Sequence, residues 1–411
     1  MTATALQQEE HLPEAIVCKW CGKSFHYLKS HISMGRCENI PESAKGLDVD
    51  EVVKMYTSAF PDEPTISRTA LAKLNEKRAE KHSGEGKVAE ISAHPGYAGT
   101  VEYKTELVAA HELLGVTIKE LGTPRGKPLQ VTVNVNTPYP EFVPEAKKNY
   151  VYGDFDLIKD IFMMLEIGIP GYLWGHAGTG KSSLPTQLCA LLNRPLIRAQ
   201  HTASMEEAHV TGQILARDGS TYFEPGLLAL AMKNGWVYLA DEYDFAFPQI
   251  LGVYQPVLEG EPLIIKEATP DWRRITPHKR FAFIGTGNTN GSGDETGLYQ
   301  GTNIQNAANF SRFGIVSNVK YMSTKAEVNM LVEAGVIREY AEKMVKFANL
   351  VREGYEQHLI SQPIGPRELL LSAKIGMMRG DFSAGIEKSF INKLPSTSAQ
   401  AAREVVQKIF G

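Results

Sequence analysis

The segment Gly175-His176-Ala177-Gly178-Thr179-Gly180-Lys181-Ser182 fits the spacing G-x-x-x-x-G-K-[ST] at every fixed position. Such a run can cradle phosphates. Its glycines let backbone N–H groups turn inward, and a following helix adds positive potential at its N-terminus. Lys181 would reach the outer phosphates of a bound ATP, the Ser182 hydroxyl would hold Mg²⁺, and Ser183, on the expected helix Ser182–Asn193, joins the nucleotide-binding set. Binding alone needs no more. Hydrolysis also needs a carboxylate for the metal and a base for water. The apolar run Trp236-Val237-Tyr238-Leu239-Ala240 delivers both at its end, with Asp241 for the metal shell and Glu242 for the attacking water.

Three further positions complete this constellation. Asn288, just past the apolar run Phe281–Thr286, could orient the water from a neighbouring strand. Arg312, in Asn309-Phe310-Ser311-Arg312-Phe313, lies beyond the core strands, where a ring-forming ATPase presents an arginine finger to the adjacent subunit. Arg367, in Gly365-Pro366-Arg367-Glu368-Leu369, opens a helix and could sense the γ-phosphate.

A second set of chemistry-bearing residues lies near the N-terminus. Cys18-x2-Cys21-x9-His31-x5-Cys37 offers three thiolates and one imidazole, a tetrahedral set without an open position, which suits structural Zn²⁺ rather than catalysis. Gly22-Lys23 would form the tight knuckle, and Phe25 with Leu28 the small core that metal binding organises. His26 competes with Cys37 as fourth ligand; Cys37 is preferred. The form Cys-x-x-Cys-Gly-Lys-x-Phe resembles short zinc fingers of bacterial and phage regulators. Lys19, Lys23, Lys29 and Arg36 against Glu14 and Glu38, four against two, give this stretch a charge of +2. That is too small to choose between nucleic acid and protein as its ligand. Cys189, on the helix after the phosphate loop, reads as packing.

The elements that must position these groups follow from hydrophobic spacing. Phe155, Leu157, Ile158, Ile161, Phe162 and Leu165 form a helical stripe. Tyr172–Trp174, Trp236–Ala240 and Phe281–Thr286 are continuous apolar runs, as in a parallel sheet buried on both faces. The order is that of an α/β phosphate-loop core with a parallel sheet flanked by helices. The expected organisation is a zinc-finger-like module at 14–64 and a helix and linker at 65–88. An α+β segment of unreadable role follows at 89–142, then the nucleotide-binding core at 143–322 and a helical lid at 323–411. Within 89–142, Thr105–Leu121 has helical spacing and Leu129–Val135 alternates like a half-buried strand.

Composition excludes several classes. Lys and Arg number 43 against 47 Asp and Glu, a net charge of −4, so no global basic field invites nucleic acid. The best membrane candidate, Ile161–Leu173, is broken by Glu166, Gly168, Pro170 and Gly171. Met1–Glu10 is polar and acidic, unlike a secretory leader. Four cysteines in 411 residues, three of them clustered, indicate a metal site in a reducing, cytoplasmic setting rather than a disulfide scaffold.

Phosphate loop, Asp-Glu pair, Asn288, Arg312 and the Gly-Pro-Arg lid arginine, in this order, resemble the AAA+ fold. The insertion Gly219–Gly226 is similar to that of its MoxR branch. Asp241-Glu242-Tyr243-Asp244, then Gln255-Pro256-Val257-Leu258-Glu259 and Gly293-Asp294-Glu295-Thr296-Gly297-Leu298-Tyr299-Gln300-Gly301-Thr302, resemble the CobS-type ATPase subunits of aerobic cobaltochelatase. The resemblance spans roughly Val143–Gly411. It implies a homo-hexameric ring and a CobT-like partner with a von Willebrand factor A domain. For true chelatases it also implies a large porphyrin-binding subunit. Ser311 departs from it, standing where an acidic residue is usual, and the N-terminal module is not typical of such subunits. Three readings stand: a ring ATPase that remodels or loads a partner, a strict cobaltochelatase subunit, and a zinc-finger nucleic-acid ATPase, the last not favoured.

Overall fold

The computed structural model describes residues 13–45, 47–61, 63–70, 101–217 and 219–411. The polar leader and, from residue 71 on, the expected helix and linker lie outside the described residues. Two compact units emerge, Met1–Pro95 and Gly96–Gly411.

In the first unit, strands β1 (Ile16–Val17) and β2 (Ser24–Phe25) form an antiparallel ribbon. The chain turns between them through Gly22 at φ +72°, where a side chain would be strained. Helix α1 (Leu28–Ser33) follows, then α2 (Val49–Ala59), whose first turn is capped by Asp48 accepting from the Asp50 and Glu51 N–H groups. Ile16, Phe25, Leu28, Ile32, Val52 and Tyr56 make a small core.

The second unit begins, among the described residues, with the antiparallel pair β3 (Thr105–Ala109) and β4 (Gln130–Asn134). Here the helical spacing of Thr105–Leu121 misleads. Only Ala110–Leu114 is helical, ended by Gly115 at φ +67°. Residues 105–109 pair in register with β4 along one edge, and this tertiary partner outweighs local periodicity.

Helix α3 (Phe155–Ile167) leads into β5 (Gly171–Trp174), α4 (Ser183–Leu191) and β6 (Leu196–Gln200). A hairpin of β7 (Gly212–Arg217) and β8 (Ser220–Pro225) precedes α5 (Leu227–Asn234) and β9 (Val237–Asp241). A ribbon of β10 (Leu263–Ile264) and β11 (Arg274–Ile275) precedes β12 (Ala282–Gly287) and β13 (Ile315–Asn318). Five strands form one parallel sheet in the order β13-β5-β12-β9-β6. Every residue of β9 and β12 is buried. Alternation sends Leu173, Leu239 and Ile284 to the face covered by α3 and α4, and Tyr172, Tyr238 and Phe283 to the face covered by α5. With β12 between β5 and β9, the loops leaving these three strands meet at one sheet edge, where open α/β sheets bind ligands.

Five helices complete the chain: α6 (Thr324–Glu333), α7 (Arg338–Glu356), α8 (Pro366–Arg379), α9 (Phe382–Ser389) and α10 (Ser396–Phe410). They share a core of their own that includes Leu331, Phe347, Val351, Leu369 and Phe390. Glu327 on α6 is fully buried and paired in both oxygens with Arg352 of α7, at 2.7 and 2.8 Å. Among the described residues no helix is long and apolar enough to cross a membrane.

Candidate nucleotide site and candidate metal centre

The phosphate loop leaves β5 at Trp174 and runs into the N-terminus of α4. Gly175 (φ +148°) is indispensable, since a Cβ there would lie 2.4 Å from the Val319 carbonyl oxygen. Lys181 reaches back across the loop. Its Nζ donates to the carbonyls of Gly175 (2.7 Å) and His176 (2.9 Å) and to Asn288 Oδ1 (3.0 Å). Burial draws its pKa down to about 8, against the pull of Asp244, Asp241 and Glu242. Ser183 Oγ lies 3.3 Å from the Tyr150 hydroxyl.

Asp241 ends β9 only 2% exposed. Its Oδ1 accepts from Ser182 Oγ and Thr286 Oγ1, both at 2.5 Å, and its Oδ2 from Arg198 Nε at 2.6 Å. Burial pushes this carboxyl up, but the two hydroxyls and the arginine outweigh it and hold the pKa below the usual value. Ser182 and Asp241 thus converge as the oxygen donors that Mg²⁺ prefers. Glu242 behaves oppositely. Burial, then the charges of Asp241 and Asp244, raise its pKa, and its carboxylate accepts from Gln200 Nε2 at 2.5 Å. Adjacent carboxylates pushed in opposite directions are suited to separate roles, metal ligand and base. The backbone at Glu242 is left-handed, φ +53° and ψ +41°, which costs a non-glycine residue about 1–3 kcal/mol.

The sheet edge also gathers residues that the motif spacing does not announce. Arg198 and Gln200 come from the end of β6, the neighbour of β9. Asp244, fully buried, accepts through Oδ2 from the Asn288 N–H (2.8 Å), the Thr289 N–H (2.9 Å) and Thr289 Oγ1 (3.0 Å). It therefore fixes the turn that presents Asn288. For Arg198 and Gln200 the one sequence signal is a polar residue within a short apolar strand run, readable only once the strand order is known. Asp244 stands in the Asp241-Glu242-Tyr243-Asp244 string, but its hold on the Asn288 turn does not follow from that string.

The two arginines part company. Arg367, in the first turn of α8, lies against the phosphate loop, with its Cβ 3.5 Å from where a Cβ on Gly178 would fall. It lines a cavity of about 270 Å³ together with Ala177, Gly178, Tyr299 and Tyr321. Arg312 instead pairs with Glu259 (Nε to Oε1, 2.6 Å) and donates to the Ala308 carbonyl (2.5 Å). Among the described residues it makes no hydrogen bond to the phosphate loop of its own chain.

In the first unit, one ligand atom each of Cys18, Cys21, His31 and Cys37 lies within 4.8 Å of the other three. Cys18 Sγ and Cys37 Sγ are 3.8 Å apart, about the edge of a tetrahedron with Zn–S bonds near 2.3 Å. Cys21 Sγ lies 3.3 Å from His31 Nε2. The donor set fits Zn²⁺. His26, the competing ligand, has its Nδ1 3.0 Å from Ser67 Oγ instead. Cys189 is fully buried, its thiol pushed up to about 12 by desolvation, as a packing residue would be.

The strand order and the loop of Gly175–Ser182 define a phosphate-loop ATPase core. A family profile described as AAA domain (dynein-related subfamily) matches residues 172–302. The aerobic cobaltochelatase subunit CobS of a Sinorhizobium species is 32% identical over 249 residues, covering 58% of this chain and 74% of that protein. An uncharacterized protein of Staphylococcus aureus is 23% identical over 265 residues, covering 62% and 96%. Among solved structures, the RuvB Holliday junction branch migration motor of Thermotoga maritima is 13% identical, with 65% of this chain and 72% of that chain covered and a TM-score of 0.37. The chain belongs to the family of CobS, and its residues 172–302 carry an AAA domain of the dynein-related type.

Proposed function

We propose that the chain hydrolyses ATP as one subunit of a homo-hexameric ring and uses that reaction to remodel, or load metal into, a partner complex. The observation that carries this reading is the convergence of Lys181, Ser182, Asp241, Glu242 and Asn288 at one sheet edge. Lys181 exchanges its loop carbonyls for the outer phosphates. Ser182 and Asp241 would hold Mg²⁺, which when bound would supply positive charge against the charge developing on the phosphoryl oxygens. Glu242 takes the proton of the attacking water, Asn288 orients that water, and Arg367 brings lid charge toward the γ-phosphate. Arg312, occupied with Glu259 in its own chain, is the group offered to the neighbour.

Kinship to CobS supports a narrower second reading. In it the ring is the ATPase subunit of a cobaltochelatase, acting with a CobT-like von Willebrand factor A partner on a corrin substrate. Zn²⁺ at Cys18, Cys21, His31 and Cys37 has no open position and would organise the N-terminal module rather than react.

Glu242→Gln tests the reading directly. It keeps the shape and removes the base, so ATP should still bind while phosphate release slows by about 10²–10⁴-fold. Turnover equal to that of the unaltered chain would refute the assignment. Stimulation of turnover by a von Willebrand factor A partner would favour the narrower reading.

A further inference from the structure

The long loop Gly293–Thr302 has no role in the chemistry described so far, yet it is tightly built. Asp294 Oδ1 accepts from the Thr296 N–H (2.9 Å) and hydroxyl (2.8 Å), and its Oδ2 from the Tyr299 N–H (2.7 Å). Thr302 closes the turn by donating N–H and hydroxyl to the Tyr299 carbonyl, at 3.1 and 3.0 Å. The result is one side chain held outward, Tyr299. Its hydroxyl accepts from the Ala177 N–H at 3.1 Å and lies 2.9 Å from His176 Nδ1, both within the phosphate loop.

The second face of this contact is made by Tyr321, between β13 and the lid, and by the lid helix α7. The His176 ring stacks parallel to Tyr321, centroids 5.8 Å apart, with Tyr355 of α7 edge-on at 5.9 Å. The Arg352 guanidinium lies over the Tyr321 ring at 4.0 Å, fixed there by buried Glu327. A tyrosine hydroxyl has one proton and two lone pairs. It satisfies both neighbours by accepting from Ala177 and donating to a neutral imidazole. Burial, then the charge of Lys181, keep His176 below its usual pKa and hence in that neutral form.

We propose that Tyr299 is a positioning residue for the phosphate loop: its hydroxyl sets the His176–Ala177 turn against the stack of Tyr321 on the lid residue Arg352, so that phosphate in the loop and the placement of α7 are coupled. This deepens the ATPase reading and rests on it. The Gly293–Thr302 loop thereby gains a purpose, which is to hold one hydroxyl at the tip of another loop.

The test uses the full chain, with ATP as the probe. Tyr299→Phe keeps the ring and removes the hydroxyl, and His176→Phe keeps the stack and removes Nδ1. Each should raise KM for ATP about 3- to 30-fold while lowering kcat less, because a hydrogen-bonded partner is lost near the bound phosphates. The double variant should be no worse than Tyr299→Phe, since that change removes the hydrogen bonds to both His176 and Ala177 and His176→Phe removes only the first of these. ATP should slow hydrogen exchange across Arg338–Glu356 in the unaltered chain and fail to do so in Tyr299→Phe. If Tyr299→Phe folds poorly, His176→Phe alone must still reproduce the KM rise. Additive effects in the double variant, or an unaltered KM with full protection of α7 in Tyr299→Phe, would overturn the proposal. The ATPase reading would survive that result, whereas an unaltered chain that bound no ATP would sink both.

Discussion

The molecule gathers polar groups at two places and supports them differently. At the sheet edge, Lys181, Asp241 and Asn288 are set by buried strands that would pack much the same whatever sat between them. In the N-terminal module, Cys18 and Cys37 are themselves two of the nine residues of the buried cluster, so candidate ligands are built into the core. A large core can hold a binding site ready. A small one borrows its stability from what it binds.

The largest expected effect breaks the module and spares the rest. Structural zinc contributes about 10–16 kcal/mol in comparable small modules. Chelation should therefore abolish hydrogen-exchange protection across residues 14–64 of the full chain while Gly96–Gly411 keeps its protection. Equal zinc content in a Cys18→Ser, Cys21→Ser variant would count decisively against the four-ligand site.

Next in size is Arg312→Ala, expected to lower turnover by about 10³–10⁵-fold, the range for arginine fingers in other phosphate-loop enzymes. Because the proposed finger serves a neighbour, mixing Arg312→Ala chains with Lys181→Ala chains should recover hydrolysis that neither shows alone. Full activity in a clean monomer would end the shared-site idea.

A smaller effect probes the lid. Glu327→Ala leaves Arg352 with a buried, unpaired charge, and such a break costs about 3–5 kcal/mol. Denaturant unfolding should show that loss, whereas removal of the exposed partner Glu339 from Lys343 should change little.

The gentlest probe is pH. Phosphate needs Lys181 protonated, and burial sets its pKa at about 8, so kcat/KM should fall roughly tenfold per pH unit as pH rises above that value. Lys181→Arg, charged throughout, should lose this limb. At the acid end Glu242 must be ionised, and its raised pKa moves the fall in rate to higher pH than an unperturbed glutamate would give.

What the sequence made legible divides along the same line as the two sites. The phosphate loop, the Asp241-Glu242 pair and the Cys/His quartet are local strings whose spacing carries their geometry. Arg198, Gln200 and Asp244 were not legible as partners, because β6 neighbours β9 only through a crossover that no short window records. The strand at Thr105–Ala109 was misread for the same reason, its partner lying some twenty residues downstream. Residue identity announces chemistry at short range, and topology decides which distant side chains assist it.

One detail of the backbone bears on how this chain can change over generations. At position 242 the left-handed conformation suits glycine or asparagine better than glutamate. A drift toward either would relieve strain and make the folded chain more robust, so folding alone gives no reason to keep an acid there. The glutamate carries a standing backbone cost, which fits a carboxylate placed there for chemistry rather than for folding.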